Sequence, residues 1–170
     1  MTRKMLAAAI IIGSMVTALH AEEGPAEIKL RRVNLDGLVI SSGRLSLTAT
    51  FDVKRADVFD EVFFDYYLLL EPQDNDLPTQ FLHCRTVHRY LEEKSGFTSG
   101  VALDGAAIAG ISPRSNAKYA VVVTYRGKEA DVESSEKDRW WEDSSLGAPV
   151  ENILFRFADV PIVREWEYRK

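Results

Sequence analysis

Three stretches of this 170-residue chain repeat apolar side chains at every second position, at residues 45–53, 62–70 and 119–125. A period of two is typical of β-strands, because successive side chains point to opposite faces of a sheet. In the second stretch the intervening positions are also largely apolar. That pattern predicts a central strand that is covered on both faces.

Weaker alternation predicts further strands at residues 28–35, 38–40, 80–90, 97–103 and 152–158, and a tail strand at residues 162–168. Clusters of Gly, Pro, Asn, Asp and Ser separate these stretches, as expected for turns. Helix signals are poor, and the sequence predicts only two short helices, at residues 134–142 and 55–60. Many short strands with regular turn signals predict an all-β chain folded as an antiparallel β-sandwich of seven to nine strands.

The N-terminus has the order of a secretory signal peptide. Arg3 and Lys4 precede an uncharged, largely apolar run over residues 5–19, and small residues then lead into Glu22. The run is short for a membrane span, which needs about 20 residues, so a retained anchor is the less favoured alternative. We place the cut after Ala21, with Ala18 as the other candidate, and predict a signal peptide at residues 1–21 and one domain at 22–170. The expected location is the periplasm, the cell surface or the medium.

Charge and cysteine content narrow the classes of partner. The formal net charge of −5 becomes −7 in the mature chain, because Arg3 and Lys4 leave with the signal. Nucleic acids and anionic membranes require clustered positive charge, so neither is expected as a partner.

Cys84 is the single cysteine, which excludes an intramolecular disulfide. We expect its thiol to lie in the core.

No set of residues in the sequence forms a recognisable catalytic or metal-binding motif. His83, Cys84 and His88 fall within one predicted strand, where Cys84 and His88 are about 13 Å apart and His83 faces the other way. That geometry opposes both a zinc site and a cysteine–histidine nucleophile, and both histidines are expected near an edge or the surface. Asp74, Asn75 and Asp76 supply too few oxygens for calcium and are interpreted as a turn. We therefore predict no enzyme activity, no metal and no cofactor.

Two adjacent tryptophans are the strongest candidate for a binding site. Trp140 and Trp141 lie in the 127–148 segment, flanked by charged residues that include Arg139 and Glu142. Aromatic residues on a long loop can anchor a protein partner or stack on sugar rings. The plainer interpretation is that both tryptophans plug an open end of the sandwich. The candidate partner-binding residues are Arg139, Trp140, Trp141 and Glu142.

One motif resembles a known family. Ile111, Ser112 and Pro113, followed by Tyr119, Val121 and Val123, resemble the region of an immunoglobulin-like or fibronectin type III domain that leads into its penultimate strand. The resemblance covers residues 27–158 and implies an immunoglobulin-like sandwich in which Tyr119 forms a tyrosine corner.

The same resemblance has consequences for the core and for function. The paired cysteines and central tryptophan of antibody domains are absent, so Phe51 and Phe64 are expected to fill the space between the sheets.

An exported, acidic, cysteine-poor sandwich also resembles the immunoglobulin-like proteins that accompany bacterial type IV pili. This implies a non-catalytic envelope or surface module that binds another protein. The alternatives are a carbohydrate-binding module that uses the same tryptophans and, last, a small secreted hydrolase.

The tail strand at 162–168 has two interpretations. Its charged residues alternate with apolar ones, which suits an edge strand protected from further pairing. Alternatively, it is a peptide that adds to a partner's sheet.

Overall fold

The computed structural model describes residues 27–36, 44–55, 58–71, 78–104, 116–151 and 153–156. Several predictions lie outside these residues: the signal peptide at 1–21, the strand at 38–40, the turn at 74–76, the loop that precedes Tyr119, and the tail strand at 162–168. Within the described residues, no helix is long and apolar enough to cross a membrane.

The chain forms two antiparallel four-stranded sheets, which confirms the predicted all-β sandwich. The first sheet has the order β1-β2-β5-β8 and the second sheet β4-β3-β6-β7. The strands are β1 (Glu27–Asp36), β2 (Arg44–Lys54), β3 (Phe59–Glu71), β4 (Gln80–Leu91), β5 (Lys94–Asp104), β6 (Asn116–Tyr125), β7 (Lys128–Ser134) and β8 (Phe155–Arg156).

The main core lies between the sheets and is centred on aromatic rings. Phe51 of β2 and Phe64 of β3 are both fully buried, with ring centroids 4.7 Å apart, as the sequence predicted. β3 pairs with β4 on one side and β6 on the other, so it is the predicted central strand. Its even-numbered residues from Val62 face this core, and its odd-numbered Leu69 is buried on the opposite face.

β7 is a strand that the sequence pattern did not predict. Arg126 and Gly127 have φ angles of 49° and 72°, which form a two-residue hairpin turn that returns the chain antiparallel to β6. β7 is mostly charged and only half-buried, so its alternation is weak. The predicted helix at 134–142 is reduced to a 3-10 turn at Trp140–Glu142, and Ser134 instead ends β7. The predicted helix at 55–60 is wrong in its described part, because Phe59 and Asp60 begin β3.

The histidine prediction was wrong for one of the two residues. His88 is 3% exposed and packs edge-on against the rings of both Phe51 and Phe64, because its side chain is on the inward face of β4. Its Nε2 lies 2.7 Å from the Ser99 Oγ, and burial lowers its pKa to about 4, so the imidazole is neutral. Cys84 lies on the same face, half-buried against the main core, as predicted in part.

Candidate functional site

The outer face of the second sheet carries a second apolar cluster, which we call the tryptophan cluster. Its buried members come from β3, β4, β6 and the segment after β7, and half-buried side chains pack against them. The buried members are Leu69, Phe81, Ala120, Val122 and Trp141, and the half-buried ones are Tyr67, Val132, Trp140 and Leu146. The segment that covers this face, residues 135–151, is called the strap below. The strap gives the sheet a second buried face.

Trp141 is the buried centre of the tryptophan cluster. Only 9% of the residue is exposed, and its ring stacks on Tyr67 with centroids 6.2 Å apart and planes 21° apart. The Arg139 guanidinium lies over the ring, 5.3 Å from its centroid. Trp141 therefore supports the surface from beneath and offers little area to a partner.

Trp140 is half-buried and reaches the surface. Its ring meets Trp141 edge-on at 5.9 Å and Phe81 at 6.0 Å, both in T-shaped geometry. Its Nε1 donates a hydrogen bond to the Ser134 Oγ at 3.2 Å. The buried polar atom of the indole is thus satisfied, and the remaining exposed part of the ring is held in a fixed orientation.

Arg139 and Glu142 form the charged rim beside Trp140. Arg139 donates from both terminal nitrogens to the Glu129 carboxylate, at 3.1 and 2.7 Å, and from Nε to Glu142 at 2.8 Å. These hydrogen bonds raise the pKa of Arg139 and lower that of Glu129. The structure therefore brings all four predicted residues together, with Trp141 below and the other three at the surface.

The strap is shaped by local hydrogen bonds. Asp143 accepts from the Ser145 N–H at 2.8 Å, which caps a short 3-10 turn, and the turn ends at Gly147, whose φ of 73° favours glycine. Val150 then pairs with the outer edge of β4. Its N–H donates to Phe81 at 2.7 Å and its carbonyl accepts from His83 at 3.1 Å. Both ends of the strap are thus tied to the second sheet.

A charged cluster adjoins the tryptophan cluster on the same face. The buried Asp65 carboxylate accepts from His83 Nε2 at 2.8 Å and from Arg85 at 2.7 and 2.9 Å. The other ring nitrogen of His83 lies 3.4 Å from Glu151 of the strap. His83 also stacks on Tyr67 at 4.8 Å, so Tyr67 lies between this cluster and Trp141.

The protonation states follow from these contacts. Burial works to raise the pKa of Asp65, but the hydrogen bonds from His83 and Arg85 outweigh it, and the pKa is lowered. The same bond to Asp65 raises the pKa of His83 against the opposing effect of burial. The result is a carboxylate that faces the Arg85 guanidinium and favours the protonated form of the His83 imidazole, an arrangement that stabilises the sheet and its contact with the strap.

None of the described groupings has the geometry of a catalytic site. His88 and Ser99 are hydrogen-bonded, but both are buried between the sheets, where no substrate reaches them. Cys84 faces the opposite side of β4 from His83, and burial raises the pKa of its thiol, which disfavours a nucleophile. Among the described residues, no group of three metal-ligating side chains converges.

Comparison with known proteins shows the fold alone. No protein family and no curated protein matches this chain. A crystal structure of a protein from Akkermansia muciniphila is similar, with a TM-score of 0.58 and 17% sequence identity over 75% of this chain and 80% of that chain. At that identity the similarity supports the all-β architecture and carries no functional assignment.

Sequence reasoning missed Asp65, His83 and Tyr67 as parts of this face. One signal was present, because Asp65 is the only acid between Val62 and Leu70 of a strand predicted to be covered on both faces. A buried carboxylate needs cationic or hydrogen-bonding partners. The strand pairing brings Arg85 opposite Asp65 and places His83 next to it on the same face.

Proposed function

We propose that this protein is an exported, non-catalytic binding module that recognises another envelope or surface protein through Arg139, Trp140 and Glu142. The observation that carries the proposal is the fixed arrangement of these side chains. Trp140 is oriented by Ser134, and Arg139 is held by two carboxylates above Trp141. Tryptophan and arginine are enriched among the residues that dominate binding energy, and a preordered surface loses little entropy on association.

We further propose that the sandwich is immunoglobulin-like. In an immunoglobulin domain one sheet has the strand order A-B-E-D and the other contains C, F and G, extended in some domains by C′. The order β1-β2-β5 corresponds to A-B-E, and β4-β3-β6-β7 corresponds to C′-C-F-G. β8 occupies the position of strand D but comes from the end of the chain, which departs from that pattern.

A place in a pilus or another surface assembly is part of the same proposal, and it rests on the resemblance of the sequence to immunoglobulin-like proteins that accompany type IV pili. The protein-binding surface is compatible with such a role, since adaptors in an assembly contact neighbouring subunits. Fold alone does not assign a function, so the binding experiment below decides it.

Export gives the first prediction. The mature protein recovered from the envelope or medium of a bacterial host is expected to begin at Glu22, because a small residue at Ala21 precedes polar sequence. N-terminal sequencing of the purified mature protein measures this directly. A chain that begins at Leu19 would move the cut to Ala18, and a full-length chain in the membrane fraction would indicate a retained anchor and contradict export by cleavage.

The binding surface gives the second prediction. Trp140→Ala is expected to abolish capture of a partner from envelope extract. It is also expected to lower the affinity for a purified partner by roughly 30-fold or more, the effect of losing one dominant contact residue. The half-buried position of Trp140 limits the fall in the free energy of unfolding to less than about 2 kcal/mol. Capture, titration and denaturant unfolding with the mature wild type and the variant are the measurements.

Val58→Ala is the matched control, since Val58 is another exposed apolar side chain, 48% exposed, outside the strap. A partner lost by folded Trp140→Ala and retained by Val58→Ala supports the proposed surface. Equal capture by all three proteins contradicts it. A glycan array run on the same proteins separates the carbohydrate-binding alternative, which requires binding of a sugar that Trp140→Ala alone loses.

A further inference from the structure

Within the part of the chain that the structure describes, the outer edge of β4 up to Val87 has a backbone partner only at Phe81 and His83. Val150 hydrogen-bonds to Phe81 and His83 at this edge. Backbone N–H and C=O groups alternate in direction along a strand, so those of Arg85 and Val87 point outward on the same side as those of Phe81 and His83. β4 is the last strand of the second sheet, and among the described residues no strand pairs with its outer edge at Arg85 and Val87. An exposed strand edge is a template for another extended segment.

A cavity opens where the paired part of this edge ends. Its volume is about 490 Å³, and it is lined by His83, Cys84, Arg85, Glu151 and Leu154. β8 lies on the neighbouring edge of the first sheet, where Arg156 is opposite Val101 of β5. The Arg156 Nε is buried and has no hydrogen-bond partner among the described residues. The described residues therefore cover the space between β4 and β8 only in part.

The chain beyond β8 starts beside this opening. β8 runs antiparallel to β5, with Phe155 opposite Ala102 and Arg156 opposite Val101, so it leads toward the turn that joins β4 to β5. Packed sheets are about 10 Å apart. The six Cα–Cα steps from Arg156 to Ile162 can span up to about 20 Å, which is enough to cross from one sheet to the other.

We propose that residues 162–166 of the same molecule add to the outer edge of β4 at residues 84–88 as an antiparallel strand. In the register that we assign, Val163 lies opposite Val87, Glu165 opposite Arg85, and Trp166 opposite Cys84. Pro161 lies immediately before this strand, where the chain must turn and no ladder hydrogen bond is required.

The side chains of both strands fit this register. Cys84, Thr86 and His88 face the interior, so Trp166 covers the cavity beside Cys84. Glu165 lies on the outer face next to Arg85, whose side chain keeps 57% of its area exposed although it is bonded to Asp65. Arg164, opposite Thr86, faces inward in this register, and its long side chain reaches water past the edge of the sheet. Attachment to the same molecule favours this occupant over a second copy, through a high effective concentration.

A designed disulfide tests the proposal. In the full mature chain with Cys84→Ser, the pair Val87→Cys and Val163→Cys is expected to form an intramolecular disulfide on mild oxidation, since opposed residues in such a pair have Cα atoms about 5.5 Å apart. Intact mass, showing the loss of two hydrogens, and a faster monomer on non-reducing electrophoresis are the readouts. Lys128→Cys with Val163→Cys in the same background is the control, because Lys128 lies on the opposite edge of the sheet.

A disulfide-linked dimer would overturn the proposal, because it would assign the edge to a second copy. An intramolecular disulfide yield equal to that of the control pair would also overturn it. Amide hydrogen exchange provides an answer that does not depend on the cysteine variants. The N–H groups of Arg85 and Val87 are expected to exchange roughly tenfold or more slowly in the mature chain than in a folded chain that ends at Arg156. Equal exchange in both chains would overturn the proposal.

Discussion

Replacing Trp141 by alanine is expected to lower the free energy of unfolding by about 3–5 kcal/mol, which is the usual cost of truncating a buried aromatic side chain. The indole is 9% exposed, stacks on Tyr67, and lies under Arg139. Alanine would leave a cavity between the strap and the sheet. Because the strap is tied down at Val150 and Ser134, it cannot collapse freely to fill that space. Urea unfolding of the mature variant measures the loss.

Two other variants make this result specific to burial. Trp141→Phe retains a ring against Tyr67 and is expected to lose less stability than alanine does. Trp140→Ala removes a half-buried indole and is also expected to lose less. If Trp141→Ala unfolds at the same urea concentration as the wild type, the strap does not contribute to the fold, and the account of Trp141 as the centre of the tryptophan cluster is wrong.

Much of the fold could be predicted from the sequence because the clearest strands follow the period of two. The alternating apolar positions at residues 45–53 of β2 and 119–125 of β6 face the main core. The alternates of β2 are polar and lie on the other face, whereas Ala120 and Val122 of β6 belong to the tryptophan cluster. β3 has apolar residues on both faces, and both are covered, one by the first sheet and the other by the strap. β7 escaped prediction because it is charged and depends on the hairpin turn and on pairing with β6 for its structure.

The candidate site was predicted as a set of residues but not as an arrangement. The sequence singled out the two adjacent tryptophans, yet the pattern did not reveal that Trp141 is buried or which sheet face covers it. That depends on the outward-facing Tyr67 and Leu69, which the sequence marked only as apolar alternates in β3. The plainer interpretation, that both tryptophans plug an open end of the sandwich, is wrong, because the tryptophan cluster lies against a sheet face.

The charged cluster stabilises the same face of the sheet and yields the second large effect. Asp65→Ala is expected to lower the free energy of unfolding by about 3 kcal/mol, the lower part of the range for removing one member of a buried ion pair. The lower part applies because Arg85 is 57% exposed and can return to water, whereas the His83 side chain is only 14% exposed and loses its carboxylate partner. Urea unfolding at one pH measures the size of the effect.

The matched control lies on the same strand. Glu61 pairs with Arg89 at 3.0 Å, and both side chains are about half exposed, at 46% and 49%. Surface ion pairs of this kind contribute about 0–1 kcal/mol, so Glu61→Ala is expected to leave the unfolding midpoint nearly unchanged. Equal effects of Asp65→Ala and Glu61→Ala would show that burial of the Asp65 carboxylate has no energetic consequence.

The pH dependence of the Asp65→Ala effect identifies its origin. The pKa of Asp65 is lowered from 3.8, so its contribution is complete above about pH 4 and is lost as the pH falls through the folded-state value. The pKa of His83 is raised from 6.5, so its contribution is complete below about pH 6.5 and is lost as the pH rises through the raised value.

The difference in stability between wild type and Asp65→Ala should therefore be largest between about pH 4 and pH 6.5. It should shrink at lower pH, and at higher pH it should fall to the part supplied by Arg85. A difference that stays constant from about pH 3 to pH 9 would assign the loss to packing alone.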